Sequence, residues 1–396
     1  MSRLAIALAT SLVVACGSGS SPTPSPPGSC AAKSFLADLG KDHLLIGLSG
    51  TDASAAAAPY DLRYLYLAGG ISPGAAPCAS CGGGACASWW GCWQDTSRPP
   101  GQYVSGFVSR AAADAQIPMF TYYELLQSMP SPSEGDAEVQ VIADRAFMAR
   151  YLADYRFLLQ QLGTATAFVH VEPDFWGYAA QRGVACSAIP AAVATANPAD
   201  CAGQPETLAG LGGCFIEMAR KYAPHARVGL HASGWGTRRD VLQNGDPKLD
   251  VAAEAKKLGD FLAGCGAGAG DFIAADMSDR DAGWYASQGR DTWWDAGNVT
   301  LPHFHQAFAW AKGVSEAVGL PILWWQTPVG NLQLQATNRD NRLDYAFDHP
   351  GELAASGALG IAFGAGAGGQ ATPENDGGHL AARARAHAAS GAGACR

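Results

Sequence analysis

The chain has 396 residues, is 48% hydrophobic and only 15% charged, and carries a formal net charge of −9. That is enough apolar material for a large buried core, and the length allows one to three domains. No cluster of Lys and Arg accompanies the mild acidity, which excludes nucleic acid and anionic membrane surfaces as partners.

The first element is a targeting segment, residues 1–16. "MSR" supplies a positive charge, "LAIALATSLVVA" a short apolar run, and Cys16 follows directly. The run is too short to span a bilayer as a helix. "VVAC" resembles the lipobox of bacterial lipoproteins, and that resemblance implies a lipid on Cys16. The alternative is an ordinary signal peptide cut nearby. Either reading exports the chain, to the bacterial cell envelope on a lipid anchor (outer membrane) or into the medium. Residues 17–39 follow as a tether, since "GSGSSPTPSPPGS" cannot bury a core. Residues 40–396 form the folded body.

Ten cysteines remain beyond Cys16, namely Cys30, Cys78, Cys81, Cys86, Cys92, Cys186, Cys201, Cys214, Cys265 and Cys395. An even number in an oxidising compartment points to as many as five disulfides. The CxxC in "CASCGGGACASWWGC" would suggest zinc or redox chemistry in the cytosol, but no second CxxC or HxxxH completes a zinc set.

Short apolar, β-rich runs occur at 44–49, 62–69, 117–124, 167–174, 227–233, 271–278, 320–326 and 358–364. Between most of them lie stretches with helical spacing, such as "DRAFMARYLADYRFLLQQLG" and "LPHFHQAFAWAKGVSEAVG". Continuous apolar strands separated by helices mark a parallel sheet covered on both faces. Eight such units predict an α/β chain folded as a (β/α)8 TIM barrel, with a doubly wound parallel sheet as the alternative. The interval 69–117 shows the Cys-rich loop and little clear helix, and 175–226 carries an insertion. "CGAGAGD" and "FGAGAGGQ" are turns, not a dinucleotide fingerprint. No cofactor or metal is expected, and the chain reads as a monomer.

In such a barrel the active site lies at the C-terminal strand ends. There the sequence places Tyr122, Tyr123 and Glu124, then Glu172 and Asp174, then His231 and Ser233. Asp276 follows with Asp279 and Asp281 beyond it, and finally Trp324, Trp325 and Gln326. Alternation along a strand gives His170, Glu172 and Asp174 one face, and Trp324 and Gln326 another shared face. Trp89, Trp90, Trp93, Trp176, Trp235, Trp284, Trp293 and Trp294 crowd the loops. Core packing explains any single one, but the set, beside Asp, Gln and His, suits the C–H faces and hydroxyls of a sugar.

Glycoside hydrolysis needs two flanking carboxyl groups, one able to hold a proton near neutral pH. Glu172 is the expected acid, Asp276 the base or nucleophile, and Asp174 either the partner or the residue that holds Glu172 and grips a hydroxyl. Glu124, Tyr123, Trp176, His231, Trp235, Asp279, Trp324, Trp325 and Gln326 are the expected substrate contacts. The competing explanation is that the carboxylates form structural ion pairs with Arg63 or Arg280. With "VEPD" closing the fourth strand, the chain resembles the TIM-barrel, cellulase-like glycoside hydrolases over residues 40–390. Glu172-Pro173 matches their Asn-Glu-Pro, whereas Val171 replaces the Asn and Gln326 stands where the nucleophilic Glu of that clan would be. "VEPD" is also similar to the Glu-Pro-Asp of inverting cellobiohydrolases. Two other readings remain open. One is a metal-dependent hydrolase or deacetylase using His170, His231 and Asp276, although the first strand lacks the usual His pair. The other is a non-catalytic surface sugar-binding lipoprotein.

Overall fold

The computed structural model describes residues 32–93 and 97–390. Eight parallel strands close on themselves in chain order: β1 (Leu45–Leu48), β2 (Leu62–Leu67), β3 (Ile117–Tyr122), β4 (Ala167–Val171), β5 (Ala226–Ala232), β6 (Phe272–Asp276), β7 (Ile322–Thr327) and β8 (Ala358–Phe363). The (β/α)8 expectation holds, and the doubly wound alternative does not, because β1 pairs with β8. The strands read as unbroken apolar runs because both their faces are covered, by the packed barrel interior and by the outer helices.

The lower interior is filled by Phe168 and Phe272, whose rings lie 5.2 Å apart. Gly229 leaves room for this packing, since a Cβ there would sit 2.6 Å from the Phe272 ring. From below, Phe35 meets Phe168 at 5.9 Å. Phe35 belongs to a helix, Ala32–Asp38, that buries Ala32 and Leu36. Among the described residues, the helix Ala32–Asp38 already packs under the barrel ahead of residue 40, because its apolar side chains cover the floor. The earlier part of the tether, Cys16 and the signal segment lie outside the described residues.

The two stretches with helical spacing form Arg145–Leu162 and Phe304–Val318, N-capped by Asp144 and His303. A helix not foreseen, Gln102–Ala113, fills the interval after the Cys-rich loop and buries Val104, Phe107 and Ala111. Four disulfides join Cys78 to Cys86, Cys81 to Cys92, Cys186 to Cys265 and Cys201 to Cys214. Cys30 and Cys395 lie outside the described residues. Four disulfides fit an oxidising compartment. Among the described residues no helix is long and apolar enough to cross a membrane.

Buried carboxylates tie the loops around the upper rim. Asp154 accepts hydrogen bonds from the indole N–H of Trp89 and of Trp90, both at 2.7 Å, from Tyr122 Oη at 3.0 Å and from Ser72 N at 3.2 Å. The Cys-rich loop is thereby fastened to the helix Arg145–Leu162, and Trp89 and Trp90 are core, not sugar platforms. Asp281 accepts from Gly330 N and Ala371 N, binding the loops after β7 and β8 to the loop after β6.

Candidate active site

Three non-glycine residues with left-handed backbone stand at strand ends: Glu172 (φ +49°), Asp174 (φ +65°) and Gln326 (φ +55°). Such conformations cost about 1–3 kcal/mol each and persist where the surroundings over-determine them. They also break the alternation on which the sequence reading relied.

His170 points inward, its ring 4.6 Å from that of Trp325 and 5.1 Å from that of His231. Glu172, two residues on, does not share that face. Its Oε1 accepts from Tyr151 Oη at 2.6 Å, on the outer helix Arg145–Leu162, and from the backbone N–H groups of Glu124 and Leu125 at 3.0 and 3.1 Å. The side chain is fully buried between β3, β4 and that helix, and Oε2 has no partner. Burial pushes its carboxyl up to about 8, so it carries a proton at neutral pH. Glu172 holds the β3 loop in place, and the geometry does not put it opposite Asp276.

Asp174 is turned to the mouth and is partly exposed. Burial, then the nearby charges of Asp276, Glu134 and Asp279, push its carboxyl up to about 6. Asp276 closes β6 with about a quarter of its side chain exposed, and its Oδ1 lies 3.2 Å from His231 Nε2. Tyr66 of β2 donates to Gln326 Oε1 and packs 5.3 Å from Trp325. After burial and Tyr64, the carboxylates of Asp174 and Asp276 raise the Tyr66 hydroxyl, which puts all three side chains on the same side of the barrel mouth. Tyr123, half-buried, also lies within reach of Asp174.

The remaining expected contacts divide cleanly. Trp325 faces inward and floors the mouth, whereas Trp324 faces outward onto Phe308 and Trp310 and is fully buried. Gln326 nevertheless reaches the mouth, because its positive φ and the irregular β7–β8 register turn it there. Trp324 is therefore not a substrate contact. Neither is Trp176, fully buried with its indole N–H on Val171 O at 2.9 Å. Glu124, also fully buried, accepts from Gly70 N at 2.6 Å and so holds the loop after β2. Trp235 is half-buried against Tyr178, 4.7 Å between ring centres. Asp279 accepts from Arg280 at 2.7 Å and from Tyr285 Oη on the rim. Of the ion pairs offered as a competing explanation, only Asp279 with Arg280 forms; Arg63 pairs with Asp52 and Asp114.

Two residues escaped the sequence reading. Tyr66 sits inside an ordinary β run, with only its inward parity with Tyr64 as a signal. Glu138 lies in the short helix Asp136–Val141, far from any strand end. It is fully buried with Oε1 unpartnered, and burial with the charge of Asp174 pushes it up to about 7. Among the described residues no group of three or more His, Cys, Asp or Glu is arranged to hold a metal ion. His170 and His231 direct their facing nitrogens at each other.

No protein-family model matches the sequence, and no curated protein matches it. Solved structures do match by fold. An engineered protein is similar over 93% of this chain and 74% of its own, with 12% identity and a TM-score of 0.51. An endo-β-1,4-mannanase double mutant from Cellulomonas fimi is similar over 92% and 76%, with 12% identity and a TM-score of 0.49. GH26C from a Muricauda species is similar over 84% and 82%, with 9% identity and a TM-score of 0.49. At 12% identity the engineered protein shares the fold of this chain and nothing finer.

Proposed function

We propose that the chain is a glycoside hydrolase acting on a poly- or oligosaccharide, with Asp174 as the proton donor and Asp276 as the base or nucleophile. The observation that carries this reading is the convergence of both carboxyl groups with Tyr66, His231 and Gln326 at the C-terminal mouth. One of the pair, Asp174, is pushed up to about 6. Cleavage of a glycosidic bond needs such an unequal pair, a protonated acid on the leaving oxygen and a second carboxylate across the sugar. Tyr66 and Gln326 offer a hydroxyl and an amide to sugar hydroxyls. Trp235, Trp284 and Trp293, all half-buried on the rim, offer faces for stacking. Incubation of the folded body with a panel of polysaccharides, products separated by chromatography, tests the reading. Shortened oligosaccharides from at least one substrate are expected, and binding without cleavage across the panel would favour a sugar-binding protein instead.

The proposal includes export with a lipid on Cys16, on the strength of "VVAC" and the Gly/Ser/Pro-rich stretch after it. Replacing Cys16 by Ser is expected to move the protein from membrane to soluble fractions on cell fractionation. Unchanged membrane association would defeat the anchor and leave the barrel chemistry untouched.

A further inference from the structure

Four side chains from four successive strands form a line that climbs the barrel interior. Thr121 on β3 is level with His170 on β4, and Thr121 Oγ1 lies 3.3 Å from His170 Nδ1. His170 is level with Gly229, so His231 stands two residues higher on β5, and His170 Nε2 meets His231 Nδ1 at 3.1 Å. His231 is level with Ala274, so Asp276 stands two residues higher again on β6, with Oδ1 3.2 Å from His231 Nε2. Thr121, His170 and His231 are buried, and Trp325 lies edge-on to both rings. Asp174 and Asp276 are the charged groups facing the upper end.

Proton counting leaves few arrangements. Between His170 Nε2 and His231 Nδ1 one hydrogen fits; two would collide, and none would leave two buried lone pairs opposed. With the hydrogen on His170 Nε2, a neutral His231 carries its own on Nε2, directed at Asp276. His170 Nδ1 then accepts from the Thr121 hydroxyl. Both contacts of His170 are satisfied in that direction. With the hydrogen of a neutral His231 on Nδ1 instead, a bare Nε2 lone pair would face a carboxylate oxygen at 3.2 Å. The contact with Asp276 is close in distance but is not aligned as a hydrogen bond.

We propose that His170 is a positioning residue that holds His231 in the Nε2–H tautomer, so that a neutral donor is aimed at Asp276. The proposal rests on the reading of Asp276 as base or nucleophile, because its purpose is to orient that carboxylate. It is a second-layer device of the same logic as a carboxylate that fixes a catalytic imidazole.

The test is selective ¹⁵N labelling of histidine and long-range ¹H–¹⁵N correlation on the folded protein near pH 7. His170 and His231 are both expected as neutral Nε2–H tautomers. A His231 that is Nδ1–H, or doubly protonated, would overturn the proposal. His170→Leu removes the donor, and His231 is then expected to shift toward Nδ1–H, with kcat reduced by roughly tenfold or more and KM nearly unchanged. His170→Gln keeps an N–H toward His231 Nδ1 and should restore both the tautomer and much of kcat. An unchanged His231 tautomer in His170→Leu would sink the assigned role of His170. Should His170→Leu fail to fold, the wild-type tautomers and His170→Gln still decide. The spectra read nothing of activity, so inactivity on every glycan with the expected tautomers would defeat only the hydrolase reading.

Discussion

Asp174→Asn is expected to lose about 10²–10⁴-fold in turnover on a polysaccharide while binding it with similar affinity, as removal of a general acid does. Asn keeps the size of the side chain and one carbonyl oxygen but has no proton to give. Asp276→Asn is expected to lose as much or more. A leaving group that needs no protonation bypasses the acid, so an aryl glycoside should partly rescue Asp174→Asn and not Asp276→Asn. The pH profile gives an independent check. Asp174 must be protonated to act, and its carboxyl is pushed up to about 6. The activity should therefore decline above pH 6, and that limb should vanish in Asp174→Asn.

The contrast with Glu172 makes the assignment decisive. Glu172→Gln keeps the oxygen that accepts from Tyr151, Glu124 N and Leu125 N. It should therefore leave turnover within a few-fold of wild type. Turnover in Glu172→Gln as low as in Asp174→Asn would return the role of acid to Glu172 and sink the pairing of Asp174 with Asp276.

The barrel was legible because its signal is spread over many residues. Eight unbroken apolar runs with helical stretches between them admit few architectures, and a slip of one residue in any run changes nothing. The site was half legible. The strand ends were located, and Asp174, Asp276, His231, Trp325 and Gln326 do lie at the mouth. Which carboxylate faces it was not, because that depends on the φ of single residues. Glu172 and Gln326 both leave the strand conformation, one turning away from the mouth and the other into it. Only glycine advertises positive φ in a sequence, so neither turn left a mark. Trp176 and Trp324 misled for a related reason: indole serves a barrel's outer layer as readily as a sugar site. The helix Gln102–Ala113 was missed because Ser105, Gly106 and Ser109 dilute its apolar stripe.

Stability should fall as pH rises from 6.5 to 8, and Glu172→Gln should flatten that fall. In the unfolded chain a glutamate ionises near 4.5, so every carboxylate is charged across this window. In the folded protein Glu172 keeps its proton up to about 8, and Glu138 and Asp281 keep theirs up to about 7. Burial holds Glu124 well above its ordinary value as well. The native state thus binds more protons than the unfolded state, and the free energy of unfolding decreases with pH. Each retained proton contributes a slope of at most about 1.4 kcal/mol per pH unit, so Glu172 alone accounts for roughly 1–2 kcal/mol across the window. The window begins at 6.5 because His170 and His387 act with opposite sign below it. Burial holds both neutral in the folded protein, so the unfolded chain gains protons there and acid destabilises. Glutamine resembles the protonated acid, keeps the three accepted hydrogen bonds and cannot ionise. Urea midpoints at pH 6.5, 7.2 and 8 should therefore converge less steeply toward low stability in Glu172→Gln, with the variant the more stable protein at pH 8. Parallel slopes in the two proteins would mean that Glu172 is already ionised at neutral pH. A burial that permits this would require a cation or further donors at Oε2, an atom that has no partner in the fold.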